Sequence, residues 1–246
     1  MRAVVVHAWA RSAAGAVVHA DGGVEWRNAR PVAGEDDPAA VTAALALAGA
    51  DGEVVGLTLG DADPSWSLAR GAARAVRVTD APIADDEGTT AAVIAAAVRS
   101  VADVDVVVVG DSEEHAGVAA AVGAALGWPV VTGIVSAAPS GAGIEAVRPS
   151  GDVQETLLVP CPAVLGVVAE GAEARTPGMK EQLAARKRPV LTTTLAELGA
   201  PGLAAPSTVQ VRGTRLPDQA TTRVFEGDAD ETARQLVAAL RAEGVL

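Results

Sequence analysis

Tyrosine is absent from this sequence, phenylalanine occurs once, and with four tryptophans the aromatic share is only 2%. Half of the 246 residues are nevertheless hydrophobic, so the core must be made of alanine and valine. Small side chains suit helices laid closely on a sheet. Cysteine occurs once, as Cys161, which excludes an internal disulfide framework and fits a reducing compartment. Basic residues are scarce: 19 Lys and Arg face 31 Asp and Glu, for a net charge of −12. That balance argues against nucleic-acid binding and against attachment to anionic membranes. No hydrophobic run reaches membrane-spanning length, so no membrane insertion is expected. Met1-Arg2 leads straight into a short strand without a cleavage-type flank. The expectation is a cytoplasmic protein with one good core and room for an appended arm.

What is present centres on Asp103–Pro129, DVDVVVVGDSEEHAGVAAAVGAALGWP. Val104–Val109 is a β-branched run broken only by Asp105, too short for a helix and fit for a central parallel strand. It stops at Gly110, and after a polar loop Ala116–Leu126 reads as a helix closed by Gly127-Trp128-Pro129. Strand, loop and helix form half of a βαβ unit. In open α/β sheets, ligands sit where such loops leave the carboxyl ends of the strands. A nucleotide-type site is therefore the first thing to test, although most glycines ending a strand merely turn the chain.

Upstream, Ala3–Val6 predicts the first strand, and Gly15–His19 with Gly23–Trp26 a hairpin around Asp21-Gly22-Gly23. Glu35-Asp36-Asp37-Pro38 opens a helix over Ala39–Ala48; acids and proline suit the positive end of the dipole, so the run reads as a helix start and not a metal site. Glu53–Leu59 is a strand ending at Gly60, Pro64–Ala72 a helix, Ala75–Val78 a strand, and Thr89 or Thr90 caps the next helix. The alternation predicts an α/β fold with a doubly wound, mostly parallel sheet. Beyond Pro129, Val130–Ser136, Ile144–Arg148, Glu155–Val159 and Ala163–Val168 read as a strand meander. A basic stretch from Arg175 to Pro189 holds both lysines, Lys180 and Lys187. The expected division is 1–198 for the α/β domain and 199–246 for an extended arm and helix. That last helix carries a cap pair, Asp228 and Glu231, and an apolar stripe of Ala229, Ala233, Leu236, Val237 and Leu240. It either docks on a partner or covers its own core.

Catalytic machinery is hard to find. His7, His19 and His115 have no metal-ligand spacing, and His7, at a strand end, is expected to be hydrogen-bonded locally. Cys161 lies between prolines with no nearby histidine and reads as a small buried hydrophobe. Asp85-Asp86 and Glu113-Glu114 are sequence neighbours, typical of solvated loops, and no phosphate-binding glycine motif is present. A non-catalytic binding or carrier protein is expected, without a metal.

The stretch VRPSGDVQETLLVPCPAVLGV resembles the beta-subunit signature of electron transfer flavoproteins, through Arg148, Glu155, Thr156, Leu157, Pro162, Ala163 and Val164. The following ARTPGMKEQLAARKRP is similar to a second motif of that family, with Arg175, Ala185, Arg186, Lys187, Arg188 and Pro189 aligned without a gap. LTLG at Leu57–Gly60, RGAARAVRV from Arg70, VVVVG…GWP and the C-terminal arm and helix match in the same order.

The resemblance implies a Rossmann-like domain of the adenine-nucleotide-binding type that pairs with an alpha subunit. The heterodimer holds FAD, mostly on the alpha side. It carries electrons from a donor dehydrogenase towards a quinone-linked acceptor at the membrane. It also implies a docking loop, on which Met179 takes the place of an anchoring leucine and Arg175 and Lys180 flank it. A bound AMP is a family feature, and Gly60, Gly110 and Gly117 are its candidate positions here. The loop after the central strand departs from the family, because Glu113, Glu114, His115, Ala116 and Val118 replace polar phosphate ligands, so AMP binding is expected to be weakened, altered or lost. The family's asparagine before the first long helix is missing, with Gly34 or Glu35 near its place, and Ala8 or Trp9 stands where a basic residue follows strand one. These departures mark a divergent member, as expected of a specialised bacterial paralogue. The competing reading is a stand-alone adenine-nucleotide-binding regulator on the same fold.

Overall fold

A computed structural model describes residues 1–12, 16–26, 30–82, 86–111, 115–141, 143–169, 176–204, 215, 217 and 222–246. The first half alternates as expected. It runs β1 (Arg2–Val6), a hairpin of β2 (Ala16–Val18) and β3 (Val24–Trp26), α1 (Asp37–Ala48), β4 (Glu53–Leu59), α2 (Ser65–Arg70), β5 (Arg74–Val78) and α3 (Glu87–Arg99). Then come β6 (Val106–Gly110), α4 (Val118–Leu126), β7 (Val130–Ile134), β8 (Ser136–Ser140), β9 (Gly143–Ser150), β10 (Val153–Pro160) and β11 (Ala163–Val167). The chain continues through α5 (Met179–Ala185) and β12 (Val190–Thr193) to α6 (Ala229–Ala242).

Seven strands form one sheet in the order β12-β5-β4-β1-β6-β11-β7, every pair parallel. Its central strands are buried on both faces, which is why they read as continuous valine runs. Ala3, Val5 and Val108 pack on one face with Ala40, Ala44 and Leu47 of α1; Val4, Val6 and Val109 pack on the other with Ile94 and Val98 of α3 and Val122 of α4. The small side chains bring backbones close: a Cβ added to Gly123 of α4 would stand 1.9 Å from Val130 of β7. The fold is thus a doubly wound, Rossmann-like α/β sheet. At its amino edge Glu53 receives Arg2 and Arg74, each at 2.8 Å, tying β1, β4 and β5 together. The hydrogen bond from Arg74, more than that from Arg2, holds the Glu53 carboxyl below its usual range.

Three expectations are corrected, and one strand is added. The stretch Val130–Ser136 is not one strand: β7 joins the parallel sheet, and only β8, β9 and β10 make the meander, as a separate antiparallel sheet. The break falls at Val135, and just before it Gly133, with φ of 69°, marks an irregularity within β7 where the pairing with β11 shifts register. The cap of α3 is Asp86, which accepts the Gly88 N–H at 2.9 Å, while Thr89 donates its hydroxyl to Asp86 at 2.7 Å. Strand β12, unforeseen, adds the sheet edge beyond β5. Helix α6 has the expected cap, Asp228 accepting the Glu231 N–H at 2.9 Å, but none of its residues is buried, so it does not cover the core. No helix among the described residues is long and apolar enough to cross a membrane.

Candidate functional site

The order β4-β1-β6 places a switch point at β1. The connection leaving β1 carries α1 over one face, whereas β6 is followed by α4 on the other. Between the carboxyl ends of β1 and β6 the two connections part, and a ligand crevice belongs there in such sheets.

The chain lines this place with its own acids. Ala8, just past β1, takes the left-handed φ of 49° and aims its N–H at Asp37 Oδ2, 2.9 Å away. The Ala8 carbonyl meanwhile accepts the Thr58 hydroxyl at 3.2 Å. Gly34 donates to the same Asp37 oxygen, also at 2.9 Å. Asp37 is buried at the first turn of α1. Burial pushes its carboxyl up from 3.8 to about 7, against the downward pull of its two backbone hydrogen bonds; neighbouring Asp36 raises it further and Arg70 lowers it. Asp36 accepts the Ala169 N–H at 2.7 Å, beyond the end of β11. Asp111, the residue after β6, accepts the Gly133 N–H of β7 at 2.7 Å. Glu87, in the first turn of α3, accepts the N–H of Gly117 at 3.3 Å, at the start of α4. Four carboxylates therefore hold backbone donors along the carboxyl edge, and Trp9 packs edge-on to His115 beside them at 4.8 Å.

Behind the crevice, His7 is fully buried and stacked on Trp66 at 5.1 Å, with the Arg70 guanidinium 3.8 Å above the same indole. The expected local hydrogen bond is not made: neither ring nitrogen of His7 has a partner. Burial, aided by Arg70, lowers its pKa from 6.5 to about 3, against the opposing pull of Asp63, so the ring is neutral and a poor general base. Cys161 is partly exposed, not buried, and burial more than Asp105 raises its thiol above the ordinary range, which disfavours a reactive thiolate. Among the described residues no cluster of His, Cys, Asp or Glu has a geometry that could hold a metal.

The three glycines proposed for a nucleotide all stand along this edge, each with a structural task. Gly60 closes β4 with a φ of 61°, its N–H bonded to Val78 O at 2.8 Å. Gly110 lies against the head of α1, and Gly117 against Glu87. In the docking set, Met179 opens α5 with 78% of its surface exposed, and Lys180 is exposed beside it. Arg175, Asp85, Glu113 and Glu114 lie outside the described residues. Helix α5 is held in place: Glu181 accepts the Gly178 N–H at 2.8 Å, Ala185 is buried, and Arg188 donates to the carbonyls of Leu68 and Ala72. Asp37 and Glu87 were missed as site residues. Asp37 gave the only signal, lying in an acidic run that a helix dipole explains equally well.

A doubly wound parallel sheet with a switch point at β1 defines a Rossmann-like domain. Within that class, the family model of the electron transfer flavoprotein domain matches residues 33–198, well over half of the chain. The chain belongs to the electron transfer flavoprotein family.

Proposed function

We propose that the chain is the beta subunit of a heterodimeric electron transfer flavoprotein, a carrier that catalyses no reaction alone. Family membership supports electron transport with a flavin. The observation that carries the heterodimer is α6: 14 residues, capped and amphipathic, with no residue buried and with Leu236 and Val237 exposed. A helix of this kind gains most of its stability from packing an apolar face, so it calls for another surface. We assign 1–198 to the carrier domain and 199–246 to the arm that reaches the alpha subunit.

The switch-point donors that would hold a dinucleotide's phosphates, Ala8, Gly34 and Gly117, are spent on Asp37 and Glu87. FAD therefore does not fit this crevice, which agrees with a flavin held mainly by the alpha subunit. The same occupancy weighs against a stand-alone adenine-nucleotide regulator. Met179 and Lys180, with Arg175, are our docking residues for the donor dehydrogenase, and a quinone-linked membrane protein is the acceptor. Exposed Met179 and Leu183 with Lys180, Arg186 and Lys187 around them suit an acidic partner with an apolar pocket.

Co-expression with a candidate alpha subunit tests this reading. A yellow heterodimer containing FAD and reduced by a dehydrogenase is the expected product. A colourless chain that pairs only with itself overturns the proposal.

A further inference from the structure

We propose that the switch-point crevice is filled by the chain's own carboxylates, with Glu87 in the place of a phosphate, so that the domain folds and functions without a bound adenine nucleotide. The inference concerns this chain alone and does not rest on its being a beta subunit.

The start of α4 is the one helix N-terminus that follows the central strand, and in such folds it receives a ligand's phosphate. Here Glu87 reaches it from α3. Its Oε1 accepts the Gly117 N–H at 3.3 Å, and its Oε2 lies where a Cβ on Gly117 would stand only 2.0 Å away. The Glu87 carboxylate thus stands where a phosphate oxygen would meet the Gly117 N–H. Glu87 is also in the first turn of α3, so one anion serves the positive ends of two helices that pack together. The substitution is thus intramolecular, and a free nucleotide must compete with a tethered carboxylate.

In the crevice itself Asp37 takes the Ala8 and Gly34 donors, while on the β11 and β7 side of β6 Asp36 takes Ala169 and Asp111 takes Gly133. The head of α1 is pressed onto Gly110, which would meet Asp37 Oδ1 at 2.9 Å with a single added carbon. A nucleotide entering here meets filled donors and, at Glu87, a charge of its own sign.

The purified full-length chain decides the matter. Acid extraction should release no nucleotide, and AMP at about 100 times a micromolar dissociation constant should leave the melting midpoint unmoved, where a bound ligand would raise it measurably. Glu87→Ser frees the Gly117 donor and removes one charge, and should tighten AMP binding at least ~10-fold in calorimetric titration. Glu87→Gln keeps the packing while removing the charge, and should give a smaller gain if the serine variant does not fold. About one AMP per wild-type chain, or a wild-type midpoint that rises with AMP, overturns the proposal. It is also overturned if every folded variant is as indifferent to AMP as the wild type.

Discussion

Gly110, the last residue of β6, lies so close to Asp37 that a Cβ on it would stand 2.9 Å from Asp37 Oδ1 and 3.0 Å from the backbone of both Asp36 and Asp37. The head of α1 cannot easily retreat, because Asp37 is pinned by Ala8 and Gly34. Gly110→Ala should therefore destabilise the domain by about 1–3 kcal/mol, the usual cost of overpacking. A urea titration measures this directly. An unshifted midpoint would mean that α1 is free to slide along the sheet.

Two buried groups of opposite habit make the stability unusually level in acid. Asp37 has its folded pKa raised to about 7, so its contribution is complete below the usual 3.8 and is lost as pH rises through 7. His7 has its folded pKa lowered to about 3, so its contribution is complete above 6.5 and is lost as pH falls towards 3. Between about pH 4 and 6.5 the folded chain holds the Asp37 proton and the unfolded chain the His7 proton, and the two slopes cancel. Asp37→Asn keeps an oxygen for both backbone donors and should expose the His7 slope, with stability climbing with pH over that window. His7→Leu should expose the Asp37 slope, with stability falling. It should also gain about 1 kcal/mol at neutral pH by removing two buried nitrogens without partners. Urea midpoints measured across this pH range check both; parallel profiles for wild type and variants would refute the pairing.

How far the sequence reveals this molecule depends on how local the cause is. Strand β4 is legible to the residue, since Glu53–Leu59 is an apolar run between Gly52 and a left-handed Gly60. The split between β7 and β8 is not, because it depends on β11 pairing with β7 across the sheet. Strand β12 is only four residues long beside a basic segment, too short for its periodicity to register. At the site, Gly110 stood out as a strand end, but its real constraint is the distant head of α1. Asp37 and Glu87 each sit in a first helical turn, where an acid is ordinary. Only the tertiary fold reveals that they accept backbone donors from Ala8, Gly34 and Gly117.

Met179 is the most exposed apolar side chain of the segment we assign to docking, at 78%, and contributes little to the fold. Met179→Ala should leave the stability within about 0.5 kcal/mol and the flavin content of the heterodimer unchanged. If it anchors the donor dehydrogenase, losing it should lower the second-order rate of flavin reduction by about 10-fold, the size of a moderate interface hot spot. Stopped-flow reduction separates the two effects. An unchanged rate would remove Met179 from the docking surface.

Helix α6 offers the sharpest division between folding and assembly. None of its residues is buried, although Leu203, at the start of the arm, packs against the core. A chain ending at Glu226 keeps that contact and loses only the capped helix with its exposed Leu236 and Val237. Its melting temperature should match that of the full chain within about 2 °C, since less than 1 kcal/mol of packing is removed. Pairing with the alpha subunit should fail, because the apolar stripe that we assign to the partner is gone. Size-exclusion chromatography of the co-expressed pair reads the second outcome and thermal unfolding of the chain alone reads the first. A truncated chain that still forms the yellow heterodimer would transfer the pairing surface from α6 to the body of the domain.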